Sequence, residues 1–384
     1  MDRNIIPWED IKYKNVKKIG EGVFSVVYKA DNNVVIKMQK YGKSNKEVFI
    51  DELNIYSKLL KSKHYNPCVI KPIENFKTLY NDSVRICIVF ERMTCDLLKF
   101  KKISKKSRLP IDKFKIIMKQ ILEGLDFLHK NEIIHTDIKP ENILINSDLN
   151  VKIIDLGNAC YFDKHFSNSI STSEYRSPEA ILYTDYNEKA DIWSTACLFY
   201  ELFTGNYLFD SWDCLEPDFE SETEEPEETE EEIEPEESEE TEEKIEPEEP
   251  EEPKETEEEI EPSDSDSDSD SDYDSETDED SDSEDESEDN DIQHLHLMET
   301  LLGKFPKRLI KGDNAMLYFD KNGNLKEPDY KLGNSKISEL LECEYGYNKE
   351  SSINIEEFLL PMLKYDPKER ASAEQMLEHK FLKK

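Results

Sequence analysis

No stretch of the chain approaches the roughly 18 consecutive apolar residues that a membrane-spanning helix needs. The opening Met1-Asp2-Arg3-Asn4 leads into no apolar core of signal-peptide length. Cysteine is sparse and unpatterned: Cys68, Cys87, Cys95, Cys160, Cys197, Cys214 and Cys343 are odd in number and show no CxxC or CxxxxC spacing. Such a set reads as reduced thiols, with neither a disulfide framework nor a metal site suggested. The expectation is a soluble intracellular protein, cytoplasmic or nuclear, without membrane association.

Basic residues are almost missing from one long segment. Residues 216–291 hold 45 Asp and Glu against two lysines, Lys244 and Lys254. The 384-residue chain has a formal net charge of −40, so the segment carries −43 and the remainder +3. Ile-Glu-Pro recurs at 233–235, 245–247 and 260–262, and from Ser263 the text becomes Ser-Asp alternation. Apolar surface is too scarce there to offset chain entropy, so the segment is expected to be disordered. It reads either as a self-repelling tether or as a field that concentrates basic clients.

Outside that segment the hydrophobic patterns are those of a folded protein. Residues 16–19, 25–30 and 33–38 alternate or run β-branched, as short strands do, and 84–90 returns to strand. Between them Phe49, Leu53, Tyr56 and Leu60 give 46–61 a helical stripe, with Glu52 beside it. Later, Asp112 can cap a helix whose face is Phe114, Ile117, Ile121, Leu125 and Leu128. Residues 190–203 read as a buried helix, and 292–302, 353–364 and 372–382 carry further helical patterns. A small β-rich part before a larger helical one predicts an α+β fold of two lobes with a cleft between them. The predicted boundaries are an N-terminal extension over 1–15, a first lobe over 16–91, and a second lobe over 92–215 and 292–384, interrupted by 216–291.

Two motifs carry chemistry. His135-Thr136-Asp137-Ile138-Lys139-Pro140-Glu141-Asn142 sets an acid, a lysine and an amide at short fixed offsets. Asp155-Leu156-Gly157 follows Asn142 at thirteen residues, after the strand-like Val151-Lys152-Ile153-Ile154. Asp137 is the candidate base or orienting group for an acceptor hydroxyl, and Lys139 the cation for a moving phosphoryl group. Asn142 and Asp155 are the candidate Mg²⁺ ligands. Singly, each residue fits a surface turn; jointly they match one mechanism. Gly157 is expected to give the backbone freedom after the metal ligand. Upstream, Gly20-Glu21-Gly22-Val23-Phe24-Ser25 joins two strands and can bring backbone N–H groups to a polyphosphate, with Val27 over an adenine. Gly-x-Gly alone also suits a plain hairpin. Lys37 ends the next strand, and an ion pair with Glu52 would hold it on the phosphates; Glu47 is the competing partner but lies off the apolar stripe.

These residues together resemble the eukaryotic-type protein kinases, over residues 16–215 and 292–384. The resemblance implies ATP and Mg²⁺ as cofactors, a two-lobed fold, and Ile19, Val35, Glu91, Met93 and Leu144 as further nucleotide contacts. Lys139 resembles the serine/threonine kinases. Ser177-Pro178-Glu179 stands where the family has Ala-Pro-Glu, and Asp366-Pro367-x-x-Arg370 resembles the late motif whose arginine pairs with that glutamate. Asp191 resembles the helix residue that braces the catalytic loop. Tyr175-Arg176-Ser177-Pro178-Glu179 is similar to the branch of cyclin-dependent, MAP, Clk-type and SR-protein kinases. Asp155-Leu156-Gly157-Asn158-Ala159-Cys160, the 190–197 stretch, Thr204-Gly205-x-Tyr207-Leu208-Phe209 and 358–363 are close to SR-protein kinases.

That likeness implies a monomer acting on basic, Arg/Ser-rich protein substrates, without direct nucleic-acid binding. Ser-Asp alternation would then mimic the charge of a phosphorylated Arg-Ser tract. Thr136 replaces the arginine that binds an activation-loop phosphate in phosphorylation-switched kinases, so the enzyme is expected to be active as made. Several features depart from the family. Ser25 replaces the third glycine, Tyr161 stands where tryptophan is usual, and the acidic insert lies beyond Phe209 and not between the lobes. On the helix before Leu301, the acids Asp291 and Glu299 are out of register with the family's docking acids; Gln293 and Thr300 hold those places. Other substrates within the branch, Clk-like or proline-directed, therefore stay open, as does a catalytically inactive scaffold that binds basic proteins.

Overall fold

Six strands near the N-terminus form one sheet: β1 (Ile5–Pro7), β2 (Lys17–Glu21), β3 (Ser25–Ala30), β4 (Val34–Gln39), β5 (Pro72–Tyr80) and β6 (Ser83–Glu91). Their order is β1-β5-β6-β4-β3-β2. The computed structural model describes residues 5–104, 110–167, 169–209, 281–326 and 335–383. The Glu/Pro and Ser/Asp tract, expected to be disordered, lies outside them as far as residue 280.

Helix α1 (Lys43–Leu59) covers one face of the sheet, where Phe49, Ile55, Tyr56 and Leu59 share a core with Ile86, Ile88 and Phe90. The helix lies close to the predicted 46–61 span. Ile11 and Tyr13 close the opposite face over Ile36, Met38, Cys87 and Val89. β1 pairs in parallel with β5, Ile6 opposite Thr78. The first lobe therefore begins well before residue 16, because the supposed extension supplies an edge strand and an apolar cover. β5 has no counterpart among the predicted strands. Its Ile73 and Leu79 are exposed while Thr78 is fully buried, so two of its apolar residues point the wrong way for the usual pattern.

The second lobe opens with β7 (Cys95–Asp96), α2 (Leu97–Ser104) and α3 (Ile111–Lys130). Pro110, not Asp112, precedes the first turn of α3, and Asp112 sits inside that turn. The predicted face of Ile117, Ile121, Leu125 and Leu128 is buried, each side chain contributing roughly 1.5–3 kcal/mol relative to exposure. Then come β8 (Ile133–Ile134), β9 (Ile143–Ile145), β10 (Val151–Ile153) and β11 (Cys160–Tyr161). These pair as β10-β9-β7 and β11-β8 and carry the loops of the site. α4 (Pro178–Ile181) precedes α5 (Lys189–Thr204), which is buried along fourteen of its residues, Ala190 to Phe203.

Helix α6 (Ser281–Leu302) starts eleven residues before the predicted 292. α7 (Ala315–Tyr318), α8 (Ile337–Cys343), α9 (Lys349–Leu359), α10 (Ala373–Leu377) and α11 (Lys380–Lys383) complete the lobe. α9 starts earlier than its pattern because Asn348 caps it, accepting from Ser351 N at 2.9 Å. The single helix predicted over 372–382 is two short ones, and a Ser372–Gln375 capping box starts the first.

Candidate active site

The hairpin between β2 and β3 closes with Gly22 N donating to Ser25 O at 2.9 Å. A Cβ at Gly22 would meet nothing within 4 Å, so the bare backbone is not demanded by the protein's own packing. That leaves room for a ligand to approach. Below the hairpin lies a cavity of about 580 Å³ between the lobes. Ile19, Gly20, Glu21, Gly22, Ser25, Val27, Val35, Lys37, Glu52, Glu91, Met93 and Leu144, all expected from the sequence at a nucleotide, line it. Val23 and Phe24 do not. Val23 is 77 % exposed at the hairpin tip, and Phe24 lines a second cavity instead. Glu21 is turned to Lys18 and Lys40, which hold its carboxyl down at about 2. Sequence reading missed Tyr56, Ile70, Phe90 and Ile154 in the cavity wall. The apolar run ending at Phe90 was the available signal for that residue.

Deep in this cavity three charges meet. Lys37 Nζ lies 2.9 Å from both Glu52 oxygens and 2.8 Å from Asp155 Oδ1. Glu52, fully buried, is the partner; Glu47 is not. Burial works against the Lys37 charge, but Glu52 and Asp155 outweigh it and hold its pKa above the ordinary lysine value. Lys37 is in turn the main cause holding the Asp155 carboxyl below its usual value, against the cost of burial. Asp155 has φ 62°, a left-handed conformation that is strained for a side-chain-bearing residue. Gly157 has no left-handed φ, and what a side chain there would meet is a tight contact, its Cβ 3.1 Å from Asp155 Oδ1.

The loop carrying Asp137 is braced from beneath. Asp191, almost fully buried on α5, accepts from the backbone N–H groups of His135 and Thr136, each at 2.8 Å, and pairs with His129 at 2.9 Å. His135 Nε2 donates to Ile154 O at 2.9 Å, which ties this loop to the strand leading into Asp155. Asn142 donates through Nδ2 to the Asp137 carbonyl at 2.7 Å and to Asp137 Oδ2 at 3.0 Å. Lys139 Nζ lies 3.0 Å from Asp137 Oδ2. Thr172, which the sequence reading passed over, joins both: it accepts from Lys139 at 2.8 Å and donates to Asp137 Oδ1 at 3.0 Å. No local spacing marks a threonine 35 residues from its partner.

Asp137, Lys139 and Thr172 line the second cavity, of about 520 Å³, together with Phe24 and Asp51. It opens where an acceptor side chain would approach Asp137. Glu179 and Arg370 form the buried pair inferred from sequence, bidentate at 2.7 and 2.9 Å, with the guanidinium over the Trp193 ring. The acids near the expected docking groove are engaged elsewhere. Asp291 pairs with Arg176 at 3.1 Å, and Glu299 Oε1 accepts from Phe305 N at 2.7 Å.

The oxygen donors suit a magnesium ion. Asn142 spends its nitrogen on Asp137, which leaves the amide oxygen to accept, and among the described residues Asp155 makes its hydrogen bonds through Oδ1. An amide and a carboxylate oxygen are the hard donors that Mg²⁺ takes.

A family model described as the protein kinase domain matches residues 13–382. The serine/threonine-protein kinase SRPK of Physarum polycephalum is 28% identical, covering 96% of this chain and 85% of its own length. The serine/threonine-protein kinase AFC3 of Arabidopsis thaliana is 32% identical over 53% of this chain and 58% of its own length. For the kinase Doa of Drosophila melanogaster the identity is 31%, over 53% of this chain and 27% of the relative. The chain belongs to the protein kinase family. Within it the chain is a serine/threonine kinase of the branch that holds SR-protein and Clk-type kinases. The family uses ATP and Mg²⁺ and acts on protein substrates. Among the described residues no helix is long and apolar enough to cross a membrane.

Proposed function

We propose that this kinase transfers the ATP γ-phosphoryl group to serines in Arg/Ser-rich proteins and is active as made. Asp137 takes the proton of the acceptor hydroxyl as its oxygen bonds to the γ-phosphorus. The bond to the β–γ bridging oxygen breaks, and ADP leaves with the electron pair. Lys139 offsets charge on the moving phosphoryl group, and Thr172 holds Lys139 and Asp137 in register. Lys37, fixed by Glu52, positions the α- and β-phosphates. When bound, Mg²⁺ held by Asn142 and Asp155 would neutralise phosphate charge.

The observation that carries activity as made is the Lys37–Glu52–Asp155 cluster, in which Lys37 reaches both carboxylates within 2.9 Å. Thr136 adds support, since its hydroxyl donates to Asn158 O at 2.9 Å where a phosphate-binding arginine would otherwise stand. A basic substrate is supported by Asp51 and Asp137 in the acceptor cavity, where Lys139 is already paired. The likeness to the Physarum kinase over most of the chain points the same way. Since Asp291 and Glu299 are occupied, an arginine-binding groove on α6 is not part of the proposal. A second reading, another substrate sequence within the branch, rests on the likeness to AFC3 and Doa. An inactive scaffold is disfavoured by the intact Lys37, Asp137, Asn142 and Asp155.

The test offers the purified, phosphatase-treated chain radiolabelled Mg·ATP with an Arg-Ser repeat, an acidic Ser or a Ser-Pro peptide. Strong labelling of the Arg-Ser peptide, abolished by Asp137→Ala, is expected. Preference for either other peptide would replace the substrate, and loss of activity after phosphatase would overturn activity as made.

A further inference from the structure

Asp291 is a buried acid to which the reaction scheme gives no part. It lies on α6 and is 8 % exposed. Its Oδ1 is 3.1 Å from Arg176 Nη1, 115 residues away in sequence, and Tyr318 donates to its Oδ2 at 3.3 Å. Arg176 uses its other nitrogens on one carbonyl: Nε and Nη2 donate to Ser171 O at 3.4 and 3.3 Å.

Ser171 is the strained point of this segment. Its φ of 64° lies in the left-handed region, which is strained for a side-chain-bearing residue and persists only where the surroundings enforce it. The enforcement here is two-sided. The Ser171 hydroxyl donates to Thr136 O at 2.9 Å, and Arg176 grips its carbonyl. The next residue is Thr172, which donates to Asp137 Oδ1. A carbonyl held by a guanidinium is only as fixed as that guanidinium, and the Arg176 side chain, 24 % exposed, is fixed by the Asp291 carboxylate.

We propose that Asp291 is a positioning residue for phosphoryl transfer. It anchors Arg176, which holds the Ser171 carbonyl and so sets Thr172 against Asp137 and Lys139. The proposal rests on the role assigned to Asp137 above. Asp291 acts through Arg176, Ser171 and Thr172 and touches neither substrate nor nucleotide, so its loss should weaken kcat while ATP binding survives.

The experiment uses the full chain as wild type, Asp291→Asn, Asp291→Glu, Arg176→Gln and the double Asp291→Asn/Arg176→Gln, with kcat, both KM values and the melting midpoint measured. Asp291→Asn is expected to lower kcat about tenfold, the loss of one charge-assisted hydrogen bond, with the ATP KM within about twofold. Asp291→Glu should recover part of that loss. The double variant should be no worse than Arg176→Gln alone, since both changes cut one chain of contacts. An unchanged kcat in Asp291→Asn, no recovery by Asp291→Glu, or fully additive losses would each overturn the proposal. Should Asp291→Asn not fold, Tyr318→Phe loosens the same anchor. A fall in kcat of about twofold at constant ATP KM is then expected, and an unchanged kcat refutes it. Asp137→Ala separates the two levels: phosphotransfer surviving that change would remove the active-site assignment itself.

Discussion

At the scale of single residues, the nucleotide cavity contrasts a satisfied polar group with an unsatisfied one on the same helix face. Glu52 is fully buried and spends both oxygens on Lys37. Tyr56, one turn further along α1, is 1 % exposed, yet its hydroxyl has no hydrogen-bonding partner among the described residues. Burying a hydroxyl unpaired costs about 1–3 kcal/mol, so the phenol contributes its ring and not its oxygen. Its ring packs against Phe90 with centroids 5.6 Å apart. Tyr56→Phe should therefore leave folding stability unchanged or raise it by about 1 kcal/mol, read from denaturant unfolding. A loss above that size would mean that the hydroxyl is bound in the folded protein. Glu52→Gln supplies the contrast, since it leaves Lys37 with Asp155 as its carboxylate partner among the described residues.

Among the elements, α6 combines the features that the sequence showed least clearly. Its pattern from residue 292 onward was legible, because Ile292, Leu295 and Met298 repeat every three residues, the last two buried and Ile292 packed against them at the core's edge. The turns before it were not, since an acidic run without apolar period reads as unstructured chain. β5 was hidden for the related reason that its outward residues are apolar. By contrast, Lys37, Glu52, Asp137, Asn142 and Asp155 were readable because each belongs to a short motif. Thr172 and Asp291 were not, because they meet their partners only after folding. α6 also buries His294, against the Phe209 ring at 5.1 Å, one turn from Asp291 and near Arg176. Burial first, and then the Arg176 charge, pushes its pKa from 6.5 down to about 3. A depressed histidine is neutral in the fold and takes up a proton once unfolded. Stability is therefore complete above about pH 6.5 and falls as the pH drops below it, by up to about 1.4 kcal/mol per unit. His379, also lowered, adds in the same direction. Melting followed from pH 7 to 5, above the range where the depressed carboxylates take up protons, should show a decline that His294→Phe flattens. An equal slope in the variant would put the decline elsewhere.

At the scale of the whole molecule, charge is divided into a folded part near neutrality and one acidic stretch. With −43 on 216–291 and +3 elsewhere, the net charge of −40 describes the stretch alone. Its field reaches about 8 Å at physiological ionic strength and roughly 30 Å at 0.01 M. If it recruits basic clients, the benefit must appear in encounter and not in chemistry, because kcat is set by groups in the cleft. Removing 216–280 keeps α6 whole and leaves every described active-site residue in place. Recruitment predicts that this deletion raises the KM for an Arg-Ser peptide several-fold at low salt, leaves kcat unchanged, and loses its effect as salt rises. A tether predicts equal KM values at every salt concentration. A third result, a lower KM after deletion, would mean that the stretch competes with substrate, as its Ser-Asp alternation resembles a phosphorylated Arg-Ser product in charge. Measured against the acidic peptide, recruitment predicts the opposite sign, with the KM falling once the like-charged stretch is gone. Comparing the two peptides therefore separates a charge effect from any change the deletion makes to the fold, which would move both in the same direction.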